Sequence, residues 1–296
     1  MLAPAANGRR LGIRLIDRCR ITQGRQSVTQ PVASPLLPRQ FGRIQWVGVW
    51  TLYTRDLRRY FREWLESIVA PVFTSLLWVA VFTFALGPDR STPEGQAAFS
   101  FILPALVLFA GLTRSAETTT FSLMFDRMEG ILADVLMPPL TPQEITAAYA
   151  LGGATTGIVT ASPVLAVMLV VPGFTVVAPA AAAVTLVLSC LMLSLIGIVT
   201  GIACRKWDHM AAVFGFILIP MAFLSGMFGP IAAMPDPVAT VLTVSPLFHA
   251  FNAFRAATIG VSEVSMLVSL SVISVWVVGL WVLAGALIHR GWRIRD

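Results

Sequence analysis

The sequence predicts an all-α polytopic membrane protein with six transmembrane helices, and three observations carry that expectation. Hydrophobic residues make up 56% of the 296 and charged residues 12%, about half the ~25% of charge found in soluble domains, and the mean hydropathy is +0.79. Apolar runs of bilayer length recur along the chain. The basic residues concentrate on alternate connections between those runs, as the positive-inside rule describes.

Residues 1–40 hold seven arginines and four prolines with no sustained periodicity, which reads as a basic, disordered cytoplasmic tail. No apolar run long enough for a signal peptide follows it. Residues 41–66 behave differently. In "QWVGVWTLYTRDLRRYFREWLE" the aromatic residues Trp46, Trp50, Tyr53 and Trp64 recur at helical spacing, while Arg55, Arg58, Arg59 and Arg62 fall largely elsewhere. Aromatics on one side and arginines on the other describe an amphipathic helix lying in the membrane interface.

Residues 67–296 form the six-span domain. A bilayer core of about 30 Å needs about 20 helical residues. Spans are expected at 67–87, 97–113, 145–171, 180–204, 210–235 and 264–288. Residues 145–204 contain no charge over 60 positions, roughly 90 Å as a single helix. That run must fold back, and "VPGFTVVAP" supplies the breakers. Between the last two spans, Pro246 divides a polar apolar mixture containing Ser245, His249 and Asn252. This segment is expected to be re-entrant on the outer side, tolerable where protein buries it. With this topology eleven arginines and lysines flank the spans inside and two, Arg90 and Arg255, lie outside, so both termini are expected in the cytoplasm.

Several chemistries are excluded or disfavoured. Cys19, Cys190 and Cys204 are too scattered for a disulfide framework or a metal site. The only lysine, Lys206, is followed by Trp207, so the Gly-Lys-Ser/Thr of a phosphate-binding loop is missing. The net charge of +6 reflects 12 of 21 basic residues placed before residue 67, ahead of the first span. There it points to anionic lipid rather than nucleic acid.

The connection from Arg114 to Glu144 is longer than antiparallel spans need. Met128, Ile131, Leu132, Val135 and Leu136 make an apolar stripe in it, with Asp126, Arg127, Glu129 and Asp134 around them and prolines 138, 139 and 142 following. The pattern predicts a short helix at the cytoplasmic surface, stopped and stiffened by proline.

At this point the chain resembles the type-2 ABC-transporter permeases, the integral membrane subunits of bacterial exporters. "VAPVFTSLLWVAVF", "FILPALVLFAG", "DRMEGILADVLMPPLTPQEI" and "FLSGMFGPIAAMPDPVATVLTVSPLFHAFNAFRAATIG" carry the resemblance in order, over roughly residues 45–290. It implies a homodimer of permeases in the bacterial inner membrane, working with two copies of an ABC ATPase subunit that binds the ATP and magnesium. No cofactor is expected on this chain. The cytoplasmic helix becomes a coupling helix, with Arg127, Glu129, Gly130 and Leu132 against the ATPase. Gly226 and Pro230 would shape the break ending span five, and Pro246 and Arg255 the outer re-entrant element. The implied cargo is amphipathic, lipid-linked or drug-like. The alternatives are an ion-coupled secondary transporter and an intramembrane enzyme. The first wants ionisable groups at the span centres, which carry none, and the second wants a serine and histidine meeting at depth, whereas His209, His249 and His289 lie at span ends.

Overall fold

The computed structural model describes residues 45–86, 93–131, 140–172, 174–231, 235 and 240–290. The expected tail, Arg90 and Leu132 lie outside them. Most of the described residues are helical, with eight principal helices that we number in chain order. They are α1 (Trp46–Arg62), α2 (Ala70–Leu86), α3 (Pro93–Met128), α4 (Pro142–Met168), α5 (Pro179–Ala203), α6 (Trp207–Met227, with two π turns), α7 (Pro246–Thr258) and α8 (Met266–His289). A π turn at Leu65–Val69 leads into α2. Six segments among the described residues are long and apolar enough to cross a membrane: Leu65–Ala85, Phe99–Met128, Pro142–Met168, Pro179–Ala203, Trp207–Met227 and Met266–His289.

The second span differs from the sequence expectation. The sequence places its end at Thr113, before Arg114, but α3 continues without a break to Met128 and is 36 residues long. That is about 54 Å, some 24 Å more than a bilayer core. Charge marks the end of an apolar run, not of a helix, and here three of the charges are met by other elements. Arg114 donates to the Glu66 carbonyl at 2.8 Å. Asp126 and Arg127 are bonded by neighbouring elements described below. Asp126 and Arg127 therefore form the last turn of a long helix rather than the start of a separate short one. Span five is shorter than expected and ends near Met227 instead of 235. Ser225 leaves helical geometry (ψ 27°) and Gly226 takes φ +85°, a left-handed conformation that glycine adopts without a side-chain clash. Pro230 follows, exposed.

The core lies among α3, α4 and α5. In their apolar windows 78%, 50% and 61% of residues are buried, against 6% in span one, 28% in span five and 17% in span six. Small residues let the three axes approach. A Cβ on Gly153 would stand 1.8 Å from Thr119 Oγ1, and one on Gly157 2.6 Å from the Gly111 carbonyl. Hydroxyls bridge the helices where backbone and backbone come this close. Ser115 Oγ donates to the Cys190 carbonyl at 2.6 Å, Thr119 and Ser194 share a 2.8 Å bond, and Thr120 Oγ1 donates to the Gly197 carbonyl at 3.0 Å. Small-residue seams closed by hydroxyl bonds are the usual way helices associate where lipid gives no hydrophobic drive.

Helix α4 is started by a capping box. Thr141 Oγ1 accepts from the Glu144 amide, and Glu144 Oε2 accepts from the Thr141 amide at 2.7 Å. With Pro142 at the first helical position, "TPQE" holds three start signals in four residues.

Helix α7 is 13 residues and therefore about 20 Å long, too short to cross a bilayer. It is buried along most of its length, packed on α8, α5 and α3. Asn252 ties the following loop to it, donating to the Val264 carbonyl at 2.7 Å and accepting from the Glu263 amide at 2.8 Å.

Candidate functional site

Two polar centres stand at opposite ends of the helix bundle. The first is where α1 meets α3 and α4, and we call this the basic end. Leu52, Asp56 and Tyr60, four residues apart, make the buried row of α1. Tyr60 Oη bonds Thr160 Oγ1 at 2.7 Å, and Tyr53 Oη lies 3.2 Å from Thr155 Oγ1, so α1 is pinned along α4. Asp126 sits at the junction, fully buried. Its carboxylate accepts from Arg55 Nη2, from Arg59 Nη2 at 3.3 Å and from Tyr149 Oη at 2.6 Å. The Arg59 guanidinium also lies over the Phe125 ring, 4.5 Å from its centroid.

Asp56 is a second buried acid beside this junction, 3.2 Å from Arg55 Nη2. Burial pushes its carboxyl up to about 6, outweighing the pull of Arg55. Two acids and two arginines thus share one poorly hydrated corner, in which only Asp126 is fully bonded.

Arg127 turns the other way. It donates Nη1 to the Ile202 carbonyl at 3.2 Å and Nη2 to the Cys204 carbonyl. These are orphan carbonyls at the end of α5, where a cation also complements the helix dipole. The four residues expected to meet a partner are thereby separated. Arg127 is half-buried and clamps α5, whereas Glu129 and Gly130 form an exposed turn just past α3. Gly130 has φ +74° with no other group within 4 Å of a Cβ. Leu132 falls outside the described residues. Of the expected interfacial residues, Trp46, Trp50 and Trp64 are 70%, 66% and 56% exposed and Arg58 is exposed, while Tyr53 and Arg59 face protein.

A groove of about 500 Å³ opens beside the junction, between the start of α2, the middle of α3 and the start of α6. Glu66, Arg114 and Glu117 line it with Phe121 and Trp207, whose rings lie 5.0 Å apart. Among the described residues no cluster of histidine, cysteine and carboxylate suits a metal.

The second centre is at the opposite end. Arg255 on α7 is 1% exposed. It donates Nη2 to the Gly226 carbonyl at 2.6 Å and Nε to the Phe101 carbonyl at 3.3 Å, and lies 3.3 Å from the Phe101 ring centroid. Glu263 stands 4.0 Å away. Gly226 and Arg255, expected from the sequence to belong to one outer element, are in direct contact. Pro246 opens α7 behind Ser245, whose hydroxyl lies 3.4 Å from that of Ser225. Pro230 lies beyond the break.

The sequence reading missed Asp56 and Tyr149. Asp56 could have been found, because it occupies the Leu52/Tyr60 row of an otherwise amphipathic helix. Tyr149 lies among uncharged residues of a span and had no signal beyond being a polar aromatic there.

Taken together, the fold and its two polar centres define a six-span all-α membrane subunit whose buried charges hold helices together instead of building a catalytic centre. The model of the ABC-2 type transporter family matches residues 47–259, and this chain belongs to that family. It is therefore a membrane transport permease, and ATP hydrolysis resides in a separate subunit of the transporter. The chain is 25% identical over 253 residues to the inner membrane transport permease YadH of Escherichia coli strain K12, covering 86% of this chain and 99% of that protein. It is also 22% identical over 258 residues to nodulation protein J of Rhizobium leguminosarum bv. viciae, covering 84% and 95%.

Proposed function

We propose that this permease exports an amphipathic, lipid-linked or drug-like substrate across the bacterial inner membrane as a homodimer. Two copies of a separate ABC ATPase would drive it by docking at the basic end. The basic end, with both termini, would face the cytoplasm, in line with the eleven-to-two distribution of arginine and lysine. The apolar sides left open on α2, α6 and α8 would be covered by lipid and by the second permease.

One observation carries the docking reading: an exposed turn, Glu129–Gly130, stands at the tip of a buried helix that is bonded to three others within its last turn. Asp126 grips α1 through Arg55 and Arg59 and α4 through Tyr149, and Arg127 grips α5. A push on the turn reaches α1, α4 and α5 together. The groove lined by Glu117, Phe121 and Trp207 would be the cytoplasmic entry for cargo, joining charged and aromatic walls as an amphipathic molecule requires.

Gly130→Trp tests the docking. A tryptophan in a left-handed conformation is strained by ~1–2 kcal/mol but meets open space, so the permease should still reach the membrane. The expected result is loss of permease-stimulated ATP hydrolysis and of co-purification with the ATPase. Retention of both would refute the assignment.

A further inference from the structure

Beside the buried junction, α1 and α3 enclose a second cavity of about 740 Å³, within the range of small-ligand sites. Four guanidinium groups line it, from Arg55, Arg58, Arg59 and Arg62, against one carboxylate, Glu63. Even with Asp56 and Asp126 behind the wall the guanidiniums outnumber the carboxylates by four to three. Two of their N–H groups, Arg55 Nε and Arg59 Nη1, are buried and have no hydrogen-bond partner among the described residues. Buried donors are nearly always paired, so this wall is short of acceptor oxygens. The Arg59 guanidinium sits over the Phe125 ring, 4.5 Å from its centroid, which helps hold it in place before any ligand arrives.

We propose that this cavity binds the phosphate-bearing headgroup of an anionic membrane lipid, a role separate from cargo transport and not dependent on it. Phosphate supplies several acceptor oxygens and a charge matched to forked guanidinium donors. The surroundings point to lipid as its source. Trp50 borders the cavity and, like Trp46 and Trp64, is more than half exposed, the arrangement of a helix lying at headgroup depth. Arg58 and Arg62 are exposed at the rim and would meet the headgroup first, while Arg55 and Arg59 close the inner wall.

The test uses the full-length permease purified from phosphatidylcholine membranes and titrated with phosphatidylglycerol, with bound lipid counted by native mass spectrometry. Wild type should retain phosphatidylglycerol over phosphatidylcholine. The double variant Arg58→Gln, Arg62→Gln should bind it about 30-fold more weakly, the effect of two arginines at a membrane surface. Arg290→Gln, which removes a charge away from the cavity, should leave binding unchanged. Arg58→Lys with Arg62→Lys keeps the charge and the helix but loses the fork, and should weaken binding by a smaller factor. Unaltered binding in the glutamine variant would overturn the proposal. Equal weakening by Arg290→Gln would also overturn it, since attraction would then be diffuse. So would displacement of the lipid by comparable inorganic phosphate, which would make the ligand a free anion.

Discussion

Replacing Asp126 with asparagine removes the single carboxylate that answers two guanidiniums and one phenol while leaving the volume almost unchanged. In the wild type, Arg55, Arg59 and Tyr149 all donate to it, and its side chain is fully buried. Breaking a buried pair by neutralising one partner costs about 3–5 kcal/mol. Here the arginine side chains are 30% and 24% exposed, so solvent recovers part of the loss and the lower end, ~3 kcal/mol, is the expectation. For a domain of this size that corresponds to a melting temperature lower by ~6–12 °C. The assay is thermal unfolding in a mild detergent, run beside Tyr149→Phe, which deletes one hydrogen bond to a charged group and should cost only about 1.5–3 kcal/mol. A melting temperature for Asp126→Asn within ~2 °C of wild type would show that the junction does not hold α1 to α3, and the mechanical reading of the basic end would fall with it.

The Asp56 carboxyl, raised from 3.8 to about 6 by burial, keeps a proton in the folded state that the unfolded chain has lost. Stability should therefore fall as pH rises from about 4 to 6, by up to ~3 kcal/mol for a shift of about two units, and level off above that; Asp56→Asn should flatten this slope in melting curves. Gly153→Ala should lower the melting temperature, although alanine is normally the better helix former by ~1 kcal/mol. Its methyl would overlap Thr119 Oγ1 and crowd Ser194 Oγ at 2.4 Å, an overpacking cost of about 1–3 kcal/mol, and a raised melting temperature would mean the seam is looser than the geometry indicates.

The spans were legible because hydrophobic length is a local property. Span boundaries were less so wherever charge and helix end parted company. Arg114 makes Thr113 look like an end in the sequence, but a helix stops for want of backbone bonds, and the Glu66 carbonyl that accommodates Arg114 lies 48 residues away in sequence. Gly226 is singled out only by the family resemblance, although its left-handed φ of +85° is a conformation that glycine readily supplies. Its bond to Arg255 joins residues 29 apart, and only the resemblance to a family suggested that they belong together. Arg127 shows the limit most plainly. The sequence pattern puts it near the start of a short separate helix, whereas it lies in the last turn of α3, and nothing in its neighbours tells whether the guanidinium points out to a partner or back onto α5. That choice is made by the orphan carbonyls of Ile202 and Cys204, which exist only once α5 has ended beside it.

The uneven burial of the spans gives these bonds a mechanical meaning. Spans two to four share glycine seams and interhelical hydroxyl bonds, so no one of them moves without disrupting the other two. Span one touches this block over a small part of its surface, and span five is broken by π turns and by Gly226, where helical bonds are already lost and bending costs least. Arginine contacts lie where these elements meet the block. Arg55 and Arg59 join α1, the helix leading into span one, to the end of α3. Arg255 joins the broken end of span five to Phe101 at the other end of the same helix. Since α3 is one continuous helix of about 39 Å between Phe101 and Arg127, both polar centres report on the position of a single rod. A movement imposed at its Glu129–Gly130 tip would therefore reach span five at the far end only with spans two to four moving together as one block.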